Sequence, residues 1–236
     1  MMAAASRGQF RYMTTYTVGA GIWLQTGADV AQFFSIHPDN PQPRLIRRAV
    51  EIVRAGGVIV YPTDSCYALG CHLGDKAAME RLRAIRQVGE RHPFALVCRN
   101  LAELAVYAKV DNRQYRLLKR ATPGSFTFIL RASREVPKRL LHPSRRTIGL
   151  RVPDHRVAQA LLADLGEPLL SSTLLLPGDE LPLNDAAEIR ERLEHAVDLV
   201  LDSGSCGITP TTVVDLTGED AVITRQGRGS PQRLGL

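Results

Sequence analysis

Apolar positions along the chain follow two periods. Leu45, Ile46, Ala49, Val50 and Val53 stand at i, i+1, i+4, i+5 and i+8, behind Pro43 and ahead of Gly56-Gly57. That spacing, with proline in the first turn and glycine after the last, predicts an amphipathic helix. Val58-Ile59-Val60-Tyr61 is a continuous apolar run closed by Pro62, which predicts a buried strand. The same two signals repeat down the chain. Asp75 opens a helix with Met79, Leu82 and Ile85 on one face, and Asn100 and Asp111 open two more. Asp154 caps a helix carrying Val157, Ala160, Leu161 and Leu165, closed by Gly166, and a further helix covers 185–194. Strands are predicted over 58–61, 94–98, 126–130, 147–152, 169–172, 197–201, 212–216 and 221–225. The last strands follow one another too closely for crossover helices. The expected fold class is therefore α/β, a single twisted mixed sheet of parallel and antiparallel strands with packed helices.

Residues 1–29 show neither period and carry only Arg7, Arg11 and Asp29 as charges. They are expected to be a disordered extension, the domain occupying 30–230 and a tail 231–236. The longest apolar stretch there, 17–24, falls well short of the ~20 residues of a membrane helix, so no membrane partner is expected. A chain with 44% hydrophobic and 23% charged residues is ordinary for a globular protein, which sets aside disordered and fibrous classes. Cys66, Cys71, Cys98 and Cys206 form no CxxC pair, so neither a zinc site nor a disulfide framework is expected. Reduced cysteines fit a cytoplasmic location.

Charge changes the picture more. Residues 81–156 carry 18 Lys/Arg against 5 Asp/Glu, whereas residues 157–236 carry 5 against 13. A basic block of this kind points to a polyanion, either nucleotide phosphates or RNA. The alternative is that the two segments neutralise each other across the fold.

No GxGxxG follows a strand and no Walker sequence is present, so neither common phosphate loop applies. Instead, small hydroxyl residues gather at strand ends: Thr63-Asp64-Ser65, Ser171-Ser172-Thr173 and Thr209-Pro210-Thr211-Thr212. Each alone reads as a turn or cap before it reads as a site. Together with Arg86, Arg151 and Arg225 they could grip phosphate or carboxylate at the ends of strands, where open α/β sheets bind ligands.

Four ordered segments resemble the YrdC-like family. They are Tyr61-Pro62-Thr63-Asp64-Ser65-Cys66-Tyr67-Ala68-Leu69-Gly70-Cys71, Pro123-Gly124-Ser125-Phe126-Thr127-Phe128-Ile129-Leu130, Ile148-Gly149-Leu150-Arg151-Val152-Pro153 and Pro210-Thr211-Thr212-Val213-Val214-Asp215. The opening Gln32–Pro41 segment is similar to the YciO branch. The resemblance implies a YrdC-like α/β domain with a positively charged cleft. In the best-known members that cleft makes L-threonylcarbamoyladenylate from threonine, bicarbonate and ATP, for tRNA t6A modification. It implies threonine at Thr63 and Arg151, nucleotide at Arg86, Ser171, Thr173, Thr211 and Arg225, and Mg²⁺ arriving with ATP, with no protein-bound metal. Threonine, ATP or adenylate, and double-stranded RNA or tRNA are the implied partners.

Two positions depart from the synthase pattern. The K-x-R-P-x-x-K/N-P segment is represented by Arg86-Gln87-Val88-Gly89-Glu90-Arg91-His92-Pro93, with Val88 where the arginine stands. The S-x-S-A-N segment is represented by Ser171-Ser172-Thr173-Leu174-Leu175, with Leu175 where the asparagine stands. One phosphate-facing cation and one amide are lost, and Arg91 is a possible substitute for the cation. Two readings follow: a threonylcarbamoyladenylate synthase, or a YciO-type double-stranded RNA-binding protein without efficient synthesis.

Overall fold

The computed structural model describes residues 30–90 and 92–235. The expected extension at 1–29 and Arg91 lie outside the described residues. In chain order the elements are β1 (Gln32–Ser35), α1 (Pro43–Arg54), β2 (Ile59–Tyr61), β3 (Ala68–His72), α2 (Lys76–Arg86), β4 (Ala95–Val97), α3 (Leu101–Tyr107), α4 (Asn112–Ala121), β5 (Phe126–Arg131), β6 (Thr147–Arg151), α5 (Arg156–Leu165), β7 (Leu169–Thr173), α6 (Ala186–Leu193), β8 (Leu199–Asp202), β9 (Thr212–Asp215) and β10 (Val222–Arg225). All ten strands join one sheet in the order β1-β8-β2-β3-β7-β4-β6-β5-β9-β10. Four neighbouring pairs are parallel (β1/β8, β2/β8, β4/β6, β5/β9) and five antiparallel, the mixed sheet expected from the spacing.

Alternation along the strands divides the molecule into two layers. Val60, Leu96, Phe128, Leu130, Leu150, Leu170, Val200 and Val214 face α2, α3, α4 and α6, which bring Met79, Leu82, Leu104, Leu118, Ile189 and Leu193. Ile59, Tyr61, Val97, Leu169, Leu199 and Leu201 face the other way and meet α1 and α5. Those two helices pack against each other through Ile46, Ala49, Val50 and Val53 on one and Val157, Leu161, Leu162 and Leu165 on the other. The second layer covers only half of its side of the sheet. On this side no helix among the described residues packs over β5, β6 and β9, and the outward positions Thr127, Ile129, Gly149 and Val213 are only half-buried.

Local signals explain most boundaries. Asp75, Asn100, Asp111 and Asp185 each accept a backbone N–H three residues on, and Asp111 with Gln114 completes a capping box. Gly166 takes φ +76° after α5, the left-handed stop that glycine adopts without cost.

Three expectations need correction. Asp154 does not cap α5: the helix starts one residue later, His155 holds the N-cap position without a side-chain bond, and Asp154 is left exposed. Two strands, β1 and β3, escaped the pattern. The domain also does not end at 230, because Pro231–Leu234 forms a short 3-10 helix that buries Leu234 against α4. No helix among the described residues is long and apolar enough to cross a membrane.

Candidate functional site

The uncovered part of the sheet is the floor of a cavity of about 310 Å³. Register sets its chemistry. Ser171 lies opposite Ala95, Ala95 opposite Gly149, and Gly149 opposite Ile129, so a row of small side chains crosses three strands and ends at the larger Ile129 on the fourth. A Cβ on Gly149 would stand 3.4 Å from Thr127 and 3.5 Å from Ala95, so a larger residue there would fit locally but would fill the cavity. Polar groups stand around this floor. Arg86 and His92 enter from one side, Thr173 and Leu175 from the end of β7, and Thr211 and Arg225 from β9 and β10.

Arg151 ends β6 with its side chain 9% exposed. Its Nη2 donates to Thr63 Oγ1 (3.2 Å), to Ser65 Oγ (2.9 Å) and to Asp64 Oδ1. The other carboxylate oxygen of Asp64 accepts from Ser125 Oγ at 2.7 Å. Thr63 in turn donates to Cys66 O (2.6 Å) and accepts from the Ser65 and Cys66 amides, a side-chain-stabilised turn. The guanidinium therefore pins the β2–β3 turn to the end of β6. Arg151 Nε is buried without a partner among the described residues, while the side chain lines the cavity.

Arg225 Nε and Nη2 donate to Thr211 O at 3.2 and 3.0 Å, and Nη2 reaches Thr211 Oγ1 at 3.3 Å. Thr211 Oγ1 also shares a 2.8 Å bond with Thr127 Oγ1. Arg86 Nε donates to Ser172 Oγ at 3.2 Å. Burial lowers the pKa of both Arg86 and Arg225, and Arg151 adds to the depression at Arg225. His92 is pushed below 6.5 by burial and then by Arg86 and Arg83. Cationic charge is thus crowded and partly desolvated here, the condition in which an arriving anion gains most.

Six of the seven sequence-selected residues meet in this cavity: Arg86, Arg151, Ser171, Thr173, Thr211 and Arg225. Two of them have their polar groups engaged elsewhere. Ser171 Oγ is spent on Leu69 O (2.9 Å) and on Tyr61 Oη (2.8 Å). Thr211 serves Arg225 and Thr127. Thr63, 2% exposed, is not brought into the cavity but lies behind it, holding Arg151. Val88 packs against the large core and does not line the cavity, whereas Leu175 does. Sequence reasoning missed Thr127, His142 and Arg145. Thr127 was legible as the polar position in an otherwise apolar alternating strand, but the loop residues His142 and Arg145 carried no periodic signal.

A mixed-sheet α/β domain with a half-covered face and an arginine-lined cavity on the bare half is the class this geometry defines. The Sua5–YciO–YrdC family model, described as telomere recombination, matches residues 51–227, and the chain belongs to that family. It is 58% identical over 200 residues to the YciO protein of Escherichia coli K12, covering 85% of this chain and 97% of that one. The crystal structure of E. coli YciO superposes with a TM-score of 0.84 at 57% identity, over 86% of this chain and 99% of that one. A threonylcarbamoyl-AMP synthase of Idiomarina loihiensis is 30% identical over 67% of this chain and 87% of its own. The P. abyssi Sua5 structure, complexed with L-threonine, matches at a TM-score of 0.76 and 25% identity, over 83% of this chain and 57% of that one.

Proposed function

We propose that the cavity binds an adenylate-type ligand, with the nucleotide held by Arg86, Thr173 and Arg225, Thr211 orienting Arg225, and a threonine-derived carboxylate near Arg151. The observation that carries this reading is the convergence of four arginines, Arg86, Arg145, Arg151 and Arg225, on one small, mostly apolar cavity. The relationship to threonylcarbamoyl-AMP synthases supports the choice of ligand. In that chemistry a threonine carbamate attacks the α-phosphorus of ATP and pyrophosphate leaves. Positioning and charge neutralisation carry such a step, not a protein nucleophile. Arg86 and Arg225 are placed for neutralisation, and Thr63 acts as a positioning residue through Arg151. Mg²⁺ would enter as the chelate of ATP. Among the described residues no group of three His, Cys, Asp or Glu stands together to hold a metal.

Synthesis by this chain is weak on the same reading. Val88 is turned into apolar packing and Leu175 offers no hydrogen bond to a leaving group. The test is incubation of the purified protein with ATP, threonine and bicarbonate while pyrophosphate release is followed. Adenine-nucleotide binding with little turnover is expected; the absence of nucleotide binding would overturn the reading.

A second reading rests on a different surface. Arg113, Arg116, Lys119 and Arg120 are exposed on α4, three and four residues apart, and Arg113 pairs with Asp220. This outer stripe suits the phosphate backbone of double-stranded RNA or tRNA, recognised by shape and charge. A cytoplasmic location accords with both readings, the four cysteines being free.

A further inference from the structure

Behind the Thr63–Ser65 turn lies a second cleft of about 480 Å³, walled by loops from five parts of the chain and by the start of α5. Its polar groups are mostly donors. Arg228 makes no side-chain hydrogen bond or ion pair with any described residue. Arg233 Nη2 donates only to the carbonyls of Arg120 (3.5 Å) and Pro123 (3.3 Å), with its guanidinium 5.9 Å from the Phe126 ring centroid. Each guanidinium lies against a glycine that makes room for it. A Cβ on Gly207 would collide with Arg228 Nη1, and one on Gly124 would come within 2.8 Å of Arg233 Nη1. The hydroxyls of Ser203 and Ser205 have no hydrogen-bond partner among the described residues, and His155 Nδ1 is buried without one.

Two carboxylates also border the cleft, and only Asp154 is free to offset one of the two guanidinium charges. Asp64 is engaged by Arg151 and Ser125, and Asp154 is exposed and ion-paired with no described residue. The donors come from three segments of the chain: Arg228 from beyond β10, Arg233 from the 3-10 helix, and the hydroxyls from the β8–β9 loop. A phosphate offers more acceptor oxygens and more charge to such a set than a carboxylate does, and arginine forks match it bidentately. The uncapped first turn of α5, which starts beside His155, adds backbone N–H groups of the same polarity without defining the site.

We propose that this cleft is a phosphate-binding site, separate from the cavity and held by Arg228 and Arg233 with Ser203 and Ser205. The phosphate belongs either to a small phosphorylated molecule or to a nucleic-acid backbone, and the test separates these sources. Histidine imidazole signals of the full chain are followed by NMR during titration with inorganic phosphate, and separately with a short RNA duplex. His155 borders the cleft, whereas His92 and His142 line the cavity, so the two sites report through different rings. Phosphate is expected to shift His155, and Arg228→Gln to weaken that response about tenfold, leaving the His92 response to adenine nucleotide unchanged. Ser205→Ala should weaken it by a smaller factor of about two to three. A His155 shift from duplex at far lower concentration than from phosphate, lost in Arg228→Gln, assigns the backbone as source. A shift from phosphate alone assigns the small molecule. The proposal is overturned if His155 does not move with either probe, or if Arg228→Gln, folded by circular dichroism, responds like the wild type. Failure of adenine nucleotide to bind the cavity leaves the His155 readout intact, so the two proposals fail separately.

Discussion

At Arg151 a single Nη2 serves three oxygens, which makes the residue a clamp as much as a ligand group. Arg151→Lys removes the fork and should lower unfolding free energy by about 1–3 kcal/mol in urea titrations, with weaker ligand binding. Asp64→Asn should act in the same direction, because it leaves a buried guanidinium unpaired. Leu175 and Val88, alike as departures from the synthase pattern, differ in place. Leu175→Asn puts an amide into the cavity and should raise threonine-dependent pyrophosphate release at little cost in stability. Val88→Arg exchanges apolar packing for a charge and should cost about 1–3 kcal/mol, so any gain in turnover must be read against melting temperature. His92 supplies a pH signature. Its pKa is depressed, and an anion beside it favours the charged ring, so ligand binding should take up a proton and tighten as pH falls from 7. Calorimetry in buffers of different ionisation enthalpy measures that uptake, and His92→Gln should abolish it.

Among the elements, helices were legible because caps and spacing act locally. Three of the four expected aspartate or asparagine caps, Asp75, Asn100 and Asp111, hold their backbone amides, and Asp185 caps a helix whose cap had not been singled out. The fourth, Asp154, failed because the helix starts one residue later, at a turn whose path is not encoded locally. Strands β1 and β3 were illegible for opposite reasons. β1 is an edge strand of four residues with only its two phenylalanines half-buried. β3 is buried on both sides, so alternation disappears, and its Gly70 exists because a Cβ there would press into Leu169 and lie 2.9 Å from the Tyr61 ring. Those contacts come from distant parts of the chain, and no local pattern announces them. The C-terminal 3-10 helix is the same case, with one buried leucine in a polar, glycine-rich stretch. Leu234→Ala should lower stability by about 2–4 kcal/mol and loosen α4, seen as faster hydrogen exchange there.

For the molecule as a whole, the basic block divides on folding. Arg83 and Arg151 become buried and Arg86 joins the cavity, while the α4 cations stay outside. Arg81–Asp198, Arg113–Asp220 and Arg145–Asp215 tie the basic segment to the acidic one, so mutual neutralisation accounts for only a few of the 18 cations. If α4 meets duplex RNA through about four phosphates, affinity should fall about a hundredfold between roughly 50 and 200 mM salt, with little dependence on sequence. Salt-insensitive binding would remove α4 from that role. Stability should also depend on pH. His92 and His155 both titrate below 6.5 when folded, chiefly through burial, so the unfolded chain binds more protons. Their contribution is complete above about pH 6.5 and lost as pH falls below it, so the melting temperature should drop between pH 7 and 5.

The half-covered sheet face has one more consequence. Because side chains on β5, β6 and β9 alternate, residues that hold the layers together and residues that meet a ligand are interleaved one by one, yet seldom touch. Phe128 and Leu150 are fixed by packing between the layers, whereas their neighbours Thr127 and Gly149 answer to the cavity and to the few residues that line it. Substitution can therefore proceed on every second position of these strands while the domain keeps its shape. A lineage built this way can change its substrate by rewriting alternate letters of the same few strands.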